Sequence, residues 1–233
     1  LNEKLLAEAP CLRESVRIAG SEGLTVHVAQ ITAGAKEPGY FSLGVLHFLH
    51  AHINRRKAQD LYSLADNVNA EVFLRTGLQF LIDSPNDLST RVLEVSGDRL
   101  PKMFADVCHL IAQIAVDLKA CAAAINPLLK ACYLLANGEP VLTPTHCEVV
   151  RLCLKTVQPT LAKELLNTRI EAINPKKTGL VTKDYLLYFY YGGLCYSALK
   201  EWESAVDFFT TCINTPADGL SSIVVEAHKY WCI

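Results

Sequence analysis

An all-α fold, a TPR-like right-handed αα-solenoid of stacked antiparallel helix pairs, is what this 233-residue sequence predicts. Three observations predict it. Apolar residues recur at helical spacing, and strand-like alternation is nearly absent. The breaks between apolar runs fall at Pro, Gly and Asn, so that helix pairs return roughly every 35–45 residues, the range of helical repeat proteins. The stretch from Leu186 to Pro216 also has the pattern of one tetratricopeptide-like unit. With Leu186 as the first position of a 34-residue repeat, Phe189, Gly193, Tyr196, Ala205 and Phe209 fall where that repeat places its aromatic and small residues. Cys212 replaces the usual small Ala, and Pro216 arrives one place early, so the unit is degenerate. Gly193 and Ala205 are small where two helices press together, and the rings fill the space around them. A helical glycine costs about 1 kcal/mol against alanine, so Gly192-Gly193 demands a packing reason.

The elements follow in chain order. Residues 1–100 read as a less regular helical region and 101–233 as the repeats. Leu5, Leu6, Leu12, Val16 and Ile18 suggest one helix broken near Pro10; Leu24 to Ile31 alternates like a short strand, and residues 33–39 read as a loop. Leu43, Leu46, Phe48 and Leu49 predict a helix over about 41–57. Val72, Phe73, Leu78, Leu81 and Ile82 predict another, ended by Ser84-Pro85-Asn86, and a third covers about 88–97. Pro101 suits a first helical turn, and Phe104 to Leu118 then carries a wide apolar stripe. Leu128, Leu129, Cys132 and Leu135 belong to its partner, closed by Asn137-Gly138-Glu139-Pro140. Thr143-Pro144 opens a helix carrying Val149, Val150, Cys153, Leu154 and Val157. Pro159 restarts the chain into a helix bearing Leu161, Leu165, Leu166, Ile170 and Ile173, ended by Asn174-Pro175. The glycine-bearing helix spans about 183–199 and its partner about 201–213. A last helix, 220–233, places Ile223, Val224, Ala227 and Trp231 on its apolar side. The first residue is Leu1 and the last three are apolar, so the chain is expected to be part of a longer protein.

Composition narrows the function classes. A chain 51% hydrophobic and 20% charged supports a substantial core, and a net charge of −2 argues against a nucleic-acid surface. No apolar run reaches the roughly 18 residues of a membrane span. The nine cysteines include no C-x-x-C and lie mostly in apolar helical stretches, as reduced thiols used as small core residues do.

Candidate chemistry is sparse. His50-Ala51-His52 with Ser63 and Asp66 superficially resembles the zinc site of JAMM-type isopeptidases, but ten residues separate His52 from Ser63 where that motif has seven. Residues two apart on a helix point about 200° apart and cannot share a metal. His47 and His50 do share a face, yet a zinc site needs at least three protein ligands and no third is evident. A metal-dependent hydrolase using His47, His50 and His52 is therefore a remote alternative. His109 beside Cys108 and His146 beside Cys147 resemble thiol nucleophile pairs, but sequence neighbours on a helix do not face each other; His146, at a helix start, is expected to fix the inter-repeat turn. No phosphate-binding or hydrolase signature occurs. The aromatic run Tyr188 to Tyr191 lacks the basic groove of a single-strand binder. No catalytic, cofactor-binding or metal residues are assigned, and a non-enzymatic scaffold acting through protein contacts is expected.

Several segments carry a resemblance. Residues 184–194 (DYLLYFYYGGL), then Ala198-Leu199-Lys200-Glu201-Trp202, Ala205 and Thr215-Pro216-Ala217 resemble the "YYYYGG … LK-F-x-x-A … TPA" stretch of the subunit-three family of the COP-nine signalosome. Glu226-Ala227-His228-Lys229-Tyr230 is similar to that family's "E-A/S-Y-K-K-Y". Leu142-Thr143-Pro144-Thr145-His146 with Leu152-Cys153-Leu154 matches its "LT-x-x-H … LCL", and Ser42 to Leu46 its "HSLG-x-L". Ala120 to Ile125 lacks its "PLRGI" turn. The resemblance implies helical repeats over 101–233 that run into the start of a PCI domain, with the winged-helix part absent. It also implies a non-catalytic subunit of the complex that removes Nedd8 from cullin-RING ubiquitin ligases. Its partners would be the other signalosome subunits and, indirectly, those ligases, in cytoplasm and nucleus, with no cofactor, nucleic acid, membrane or small-molecule substrate. The paralogous proteasome-lid subunit is the alternative within the same architecture.

Overall fold

In a computed structural model, the described residues are Leu46, Leu49, His50, 67–83, 99–168, 170–216, Gly219 and 221–232. They form helices α1 (Asn67–Asp83) and α2 (Arg99–Asp117) in one compact unit, Leu1–Leu118. A second unit, Lys119–Ile233, holds α3 (Cys121–Ala136), α4 (Pro144–Lys155), α5 (Pro159–Leu166), α6 (Pro175–Thr178), α7 (Thr182–Ala198), α8 (Trp202–Ile213) and α9 (Ser222–Trp231). No strand occurs among the described residues, only an isolated parallel bridge between Val141 and Ala172. The all-α reading holds.

In the first unit, α1 and α2 pack through Phe80 and Phe104, whose ring centres lie 6.2 Å apart. Gly77 of α1 lets Ile111 of α2 approach, since a Cβ there would stand 2.7 Å from Ile111 Cδ1. Leu46 and Leu49 are helical and buried. The predicted helix over 88–97 and the readings for residues 1–40 lie outside the described residues.

In the second unit, residue numbers that meet across a pair give helix directions. Along α7 and α8, Leu186 meets Cys212 (Sγ to carbonyl oxygen, 3.6 Å), Gly192 meets Phe208 and Gly193 meets Phe209. Leu186, early in α7, meets Cys212 at the end of α8, whereas Tyr196, late in α7, meets Phe208 nearer its start, so the pair is antiparallel. Along α4 and α7, Cys147 lies near Asp184, Arg151 near Tyr191 and Cys153 near Cys195. Both numbers rise, so the first helices of successive pairs run parallel.

The turns repeat bond for bond. Thr156, Val157 and Gln158 donate their amides to the carbonyls of Leu152, Leu154 and Cys153; Leu199, Lys200 and Glu201 donate theirs to Cys195, Ser197 and Tyr196. The middle residues, Val157 and Lys200, both lie in the left-handed region, at φ 57° and 63°. This is the double bond pattern with which many helices end, and it recurs at a spacing of 43 residues, within the interval that the periodicity predicts.

Two predicted details change. The helix opened by Pro159 stops at Leu166, and Ile170 and Ile173 lie outside it. Backbone pairing wins there. Glu171 donates to the Pro140 carbonyl at 2.8 Å and Leu142 to the Ala172 carbonyl at 3.2 Å, so residues 170–173 run extended beside the entry to α4. Asn174-Pro175 then starts α6 rather than ending a helix, with the Asn174 side chain accepting from the Lys177 amide. Residues 121–125, where the family's turn was sought, open α3, which carries Pro127 within it.

Candidate functional site: a helix seam and the capped junction beside it

The glycine pair is the centre of the second unit. A Cβ on Gly192 would stand 2.5 Å from the Phe208 ring and 3.1 Å from Leu166 Cδ2; one on Gly193 would stand 2.6 Å from the Phe209 ring. Both rings therefore lie on bare backbone. Tyr196 crosses Phe208 at 5.1 Å, and its hydroxyl donates to Asn167 Oδ1 at 3.1 Å, which ties α7 to the end of α5. Phe209 stacks on Tyr230 of α9, its centre 6.0 Å away and its plane tilted by 16°. Ala205, Phe209 and Cys212 are all buried. The sequence pattern pointed to Phe209 against Gly193. It missed Phe208 against Gly192, for which adjacency alone was the signal.

The aromatic run is mainly packing material. Tyr188 is buried, and burial pushes its hydroxyl well up. Tyr190 is half-buried; burial, with Tyr230 and Glu226 nearby, pushes its hydroxyl up to about 12. Such groups stay neutral phenols at physiological pH.

Beside the seam lies a polar junction at the start of α4, where Thr143, Thr145, His146 and Glu148 are all buried. The Thr143 amide donates to His146 Nδ1 at 3.1 Å, and Thr143 Oγ1 lies 2.6 Å from the same nitrogen and 2.9 Å from Thr145 Oγ1. Thr143-x-x-His146 has the spacing of a capping box, with His where Glu or Gln is usual. Pro144 takes the first helical position, where its missing N–H costs nothing. The imidazole meets the Tyr188 ring edge-on at 5.9 Å, which joins the cap to α7.

Cys147 follows at once, yet it does not pair with His146. Its thiol donates to the Pro144 carbonyl at 3.0 Å, and burial pushes it far up, with Glu148 and Asp184 adding to the shift. Cys132 is likewise held up at about 12 by burial, against the Thr145 and Thr143 hydroxyls. A buried, protonated thiol is a poor nucleophile. Of the three histidines of the remote hydrolase reading, His47 and His52 lie outside the described residues. His50 Nε2 lies 3.6 Å from Asp106 Oδ2 of α2.

Several large apolar side chains stand in solvent on the second unit. Val157 is 84% exposed, Trp202 62%, and Tyr230 and Trp231 45% each. Trp202 and Val206 lie one turn apart on α8, with exposed Glu203 and Asp207 beside them. Lys163 of α5 pairs with Glu201 before α8.

Residues 27–233 match the family model described as COP9 signalosome complex subunit 3, N-terminal helical repeats. The chain is 31% identical over 135 residues to "COP9 signalosome complex subunit 3" of Dictyostelium discoideum; the match covers 57% of this chain and 32% of that protein. It is 32% identical over 141 residues to the Drosophila melanogaster protein of the same name, covering 54% of this chain and 32% of that one. The matched stretch spans about a third of the length of these relatives. A chain whose described residues are mainly helical, with one turn geometry repeated at Val157 and Lys200, and whose residues 27–233 match the family model belongs to the COP9 signalosome subunit 3 family, within its N-terminal helical repeats.

Proposed function

We propose that this chain is a non-catalytic scaffold of a COP9 signalosome, acting through contacts made by the surface of its stacked helix pairs. The observation that carries the reading is the family match over residues 27–233, joined to a second unit built of repeating helix pairs. Stacked pairs present long surfaces and are widely used for protein recognition. The side chains that most resemble a nucleophile site are spent on structure, His146 on a cap and Cys147 on the Pro144 carbonyl. On this reading the partners are the other signalosome subunits and, through them, cullin-RING ligases from which Nedd8 is removed. The chain works in cytoplasm and nucleus, with no cofactor of its own.

The test is co-purification. The tagged chain, expressed with the remaining subunits, should retain at least one neighbouring subunit through washes at physiological salt. Imaging of the same tagged chain in cells should show it in both compartments. Retention of no subunit would overturn the scaffold reading. Stoichiometric metal on the purified chain, lost on His50→Ala, would favour the hydrolase reading instead.

A further inference from the structure

We infer that the His146 imidazole is an acid-released latch on the N-terminus of α4, closed only while the ring is neutral. Geometry carries this. The Thr143 amide can only donate, so the Nδ1 it meets at 3.1 Å must present a lone pair, and the ring proton sits on Nε2. Thr143 Oγ1 and Thr145 Oγ1 extend the link, and all three residues are buried. Protonation turns Nδ1 from acceptor to donor. The ring could then donate to Thr143 Oγ1, but the Thr143 amide would face an N–H and lose its partner inside the protein, beside a buried cation. Gln, one of the two residues usual at this position, does not titrate and Glu does so only at about 4.3, so His moves the cap's pH dependence towards neutrality.

The surroundings offer the cation little. Tyr188 of α7 meets the ring edge-on, and Cys147 follows on α4 as a protonated thiol. The thiol of Cys132 on α3 lies against the Thr143 and Thr145 hydroxyls. The carboxylates of Glu148 on α4 and Asp184 on α7 act on Cys147, and Arg151 on α4 pairs with Glu148. Burial holds the imidazole down from 6.5 to about 4. The sign follows from linkage. Between these values the unfolded chain binds a proton that the folded chain refuses. The latch's contribution is complete above 6.5, is lost as pH falls from 6.5 towards about 4, and changes no further below.

The test compares the chain with His146→Gln, whose side-chain oxygen can still accept from the Thr143 amide. Melting temperature is followed from neutral pH to pH 4. The unsubstituted chain should lose stability on acidification with an extra slope of about one proton per molecule near pH 5, and the variant should lack that extra slope. Equal slopes would overturn the inference. Should the variant fail to fold, nitrogen NMR of the unsubstituted chain decides. The Nε2–H tautomer at neutral pH, with first-turn amides of α4 exchanging on acidification before those of α8, supports the latch. An Nδ1–H tautomer, or first-turn amides that exchange no earlier than those of α8, sinks it.

Discussion

The α4–α5 and α7–α8 pairs share a turn but place their bulk on opposite helices. At the 43-residue spacing set by Val157 and Lys200, Val149-Val150 of α4 correspond to Gly192-Gly193 of α7, and Leu165-Leu166 of α5 to Phe208-Phe209 of α8. Ala162 corresponds to Ala205, and both are buried. In the first pair, the four corresponding side chains are all of medium size and buried. In the second, one helix is reduced to backbone and the other supplies two rings, which close over it. Interiors fill to a nearly constant density, and a seam can be filled by different partitions of the same number of side-chain carbons. The lesson is that a degenerate repeat can keep its turn geometry and its number of side-chain carbons while residue type changes.

The largest expected effect comes from emptying the seam. Phe209→Ala removes a ring lying on bare backbone and stacked on Tyr230, and should cost about 3–5 kcal/mol by denaturant unfolding. A loss below about 1 kcal/mol would mean that the ring is not the wedge. Overfilling comes next. Gly193→Leu should cost about 1–3 kcal/mol or more, because even its Cβ collides with that ring; a variant that melts like the unsubstituted chain would show that the helices do not meet there.

The two turns give a smaller contrast. A β-branched residue in the left-handed region is strained, and the Val157 side chain is 84% exposed. Val157→Gly should gain about 0.5–1 kcal/mol, the relief of strain outweighing glycine's extra chain entropy. Lys200→Gly should gain less, because an unbranched side chain suffers less there. Equal gains, or a loss at Val157, would break the equivalence of the turns. Smallest of all, Lys163→Ala breaks a half-exposed pair with Glu201 and should change stability by no more than about 1 kcal/mol.

Much of this was legible in residue order. Helical spacing gave the elements, and small residues opposite rings gave the α7–α8 contact. The extended run at 170–173 was hidden, because Ile170 and Ile173 continue a helical apolar period. What overrides that period is a backbone pairing with Pro140 and Leu142, some thirty residues earlier in the chain. The cap at His146 was half legible. Thr143-Pro144 announced a helix start, but the tautomer of the imidazole is set by the Thr143 amide, and the ring packs against Tyr188, supplied by a later helix. The 43-residue equivalence was obscured for the same reason that it works, since valine pairs and glycine pairs look unrelated until the turn aligns them.

The exchange of volume between the two pairs is tested most directly by a double-mutant cycle. Gly193→Val and Phe209→Leu each give the α7–α8 pair one residue of the α4–α5 arrangement. Each alone should destabilise, and the double variant should be more stable than the sum of the two losses allows by about 1 kcal/mol or more. Strict additivity would contradict the account.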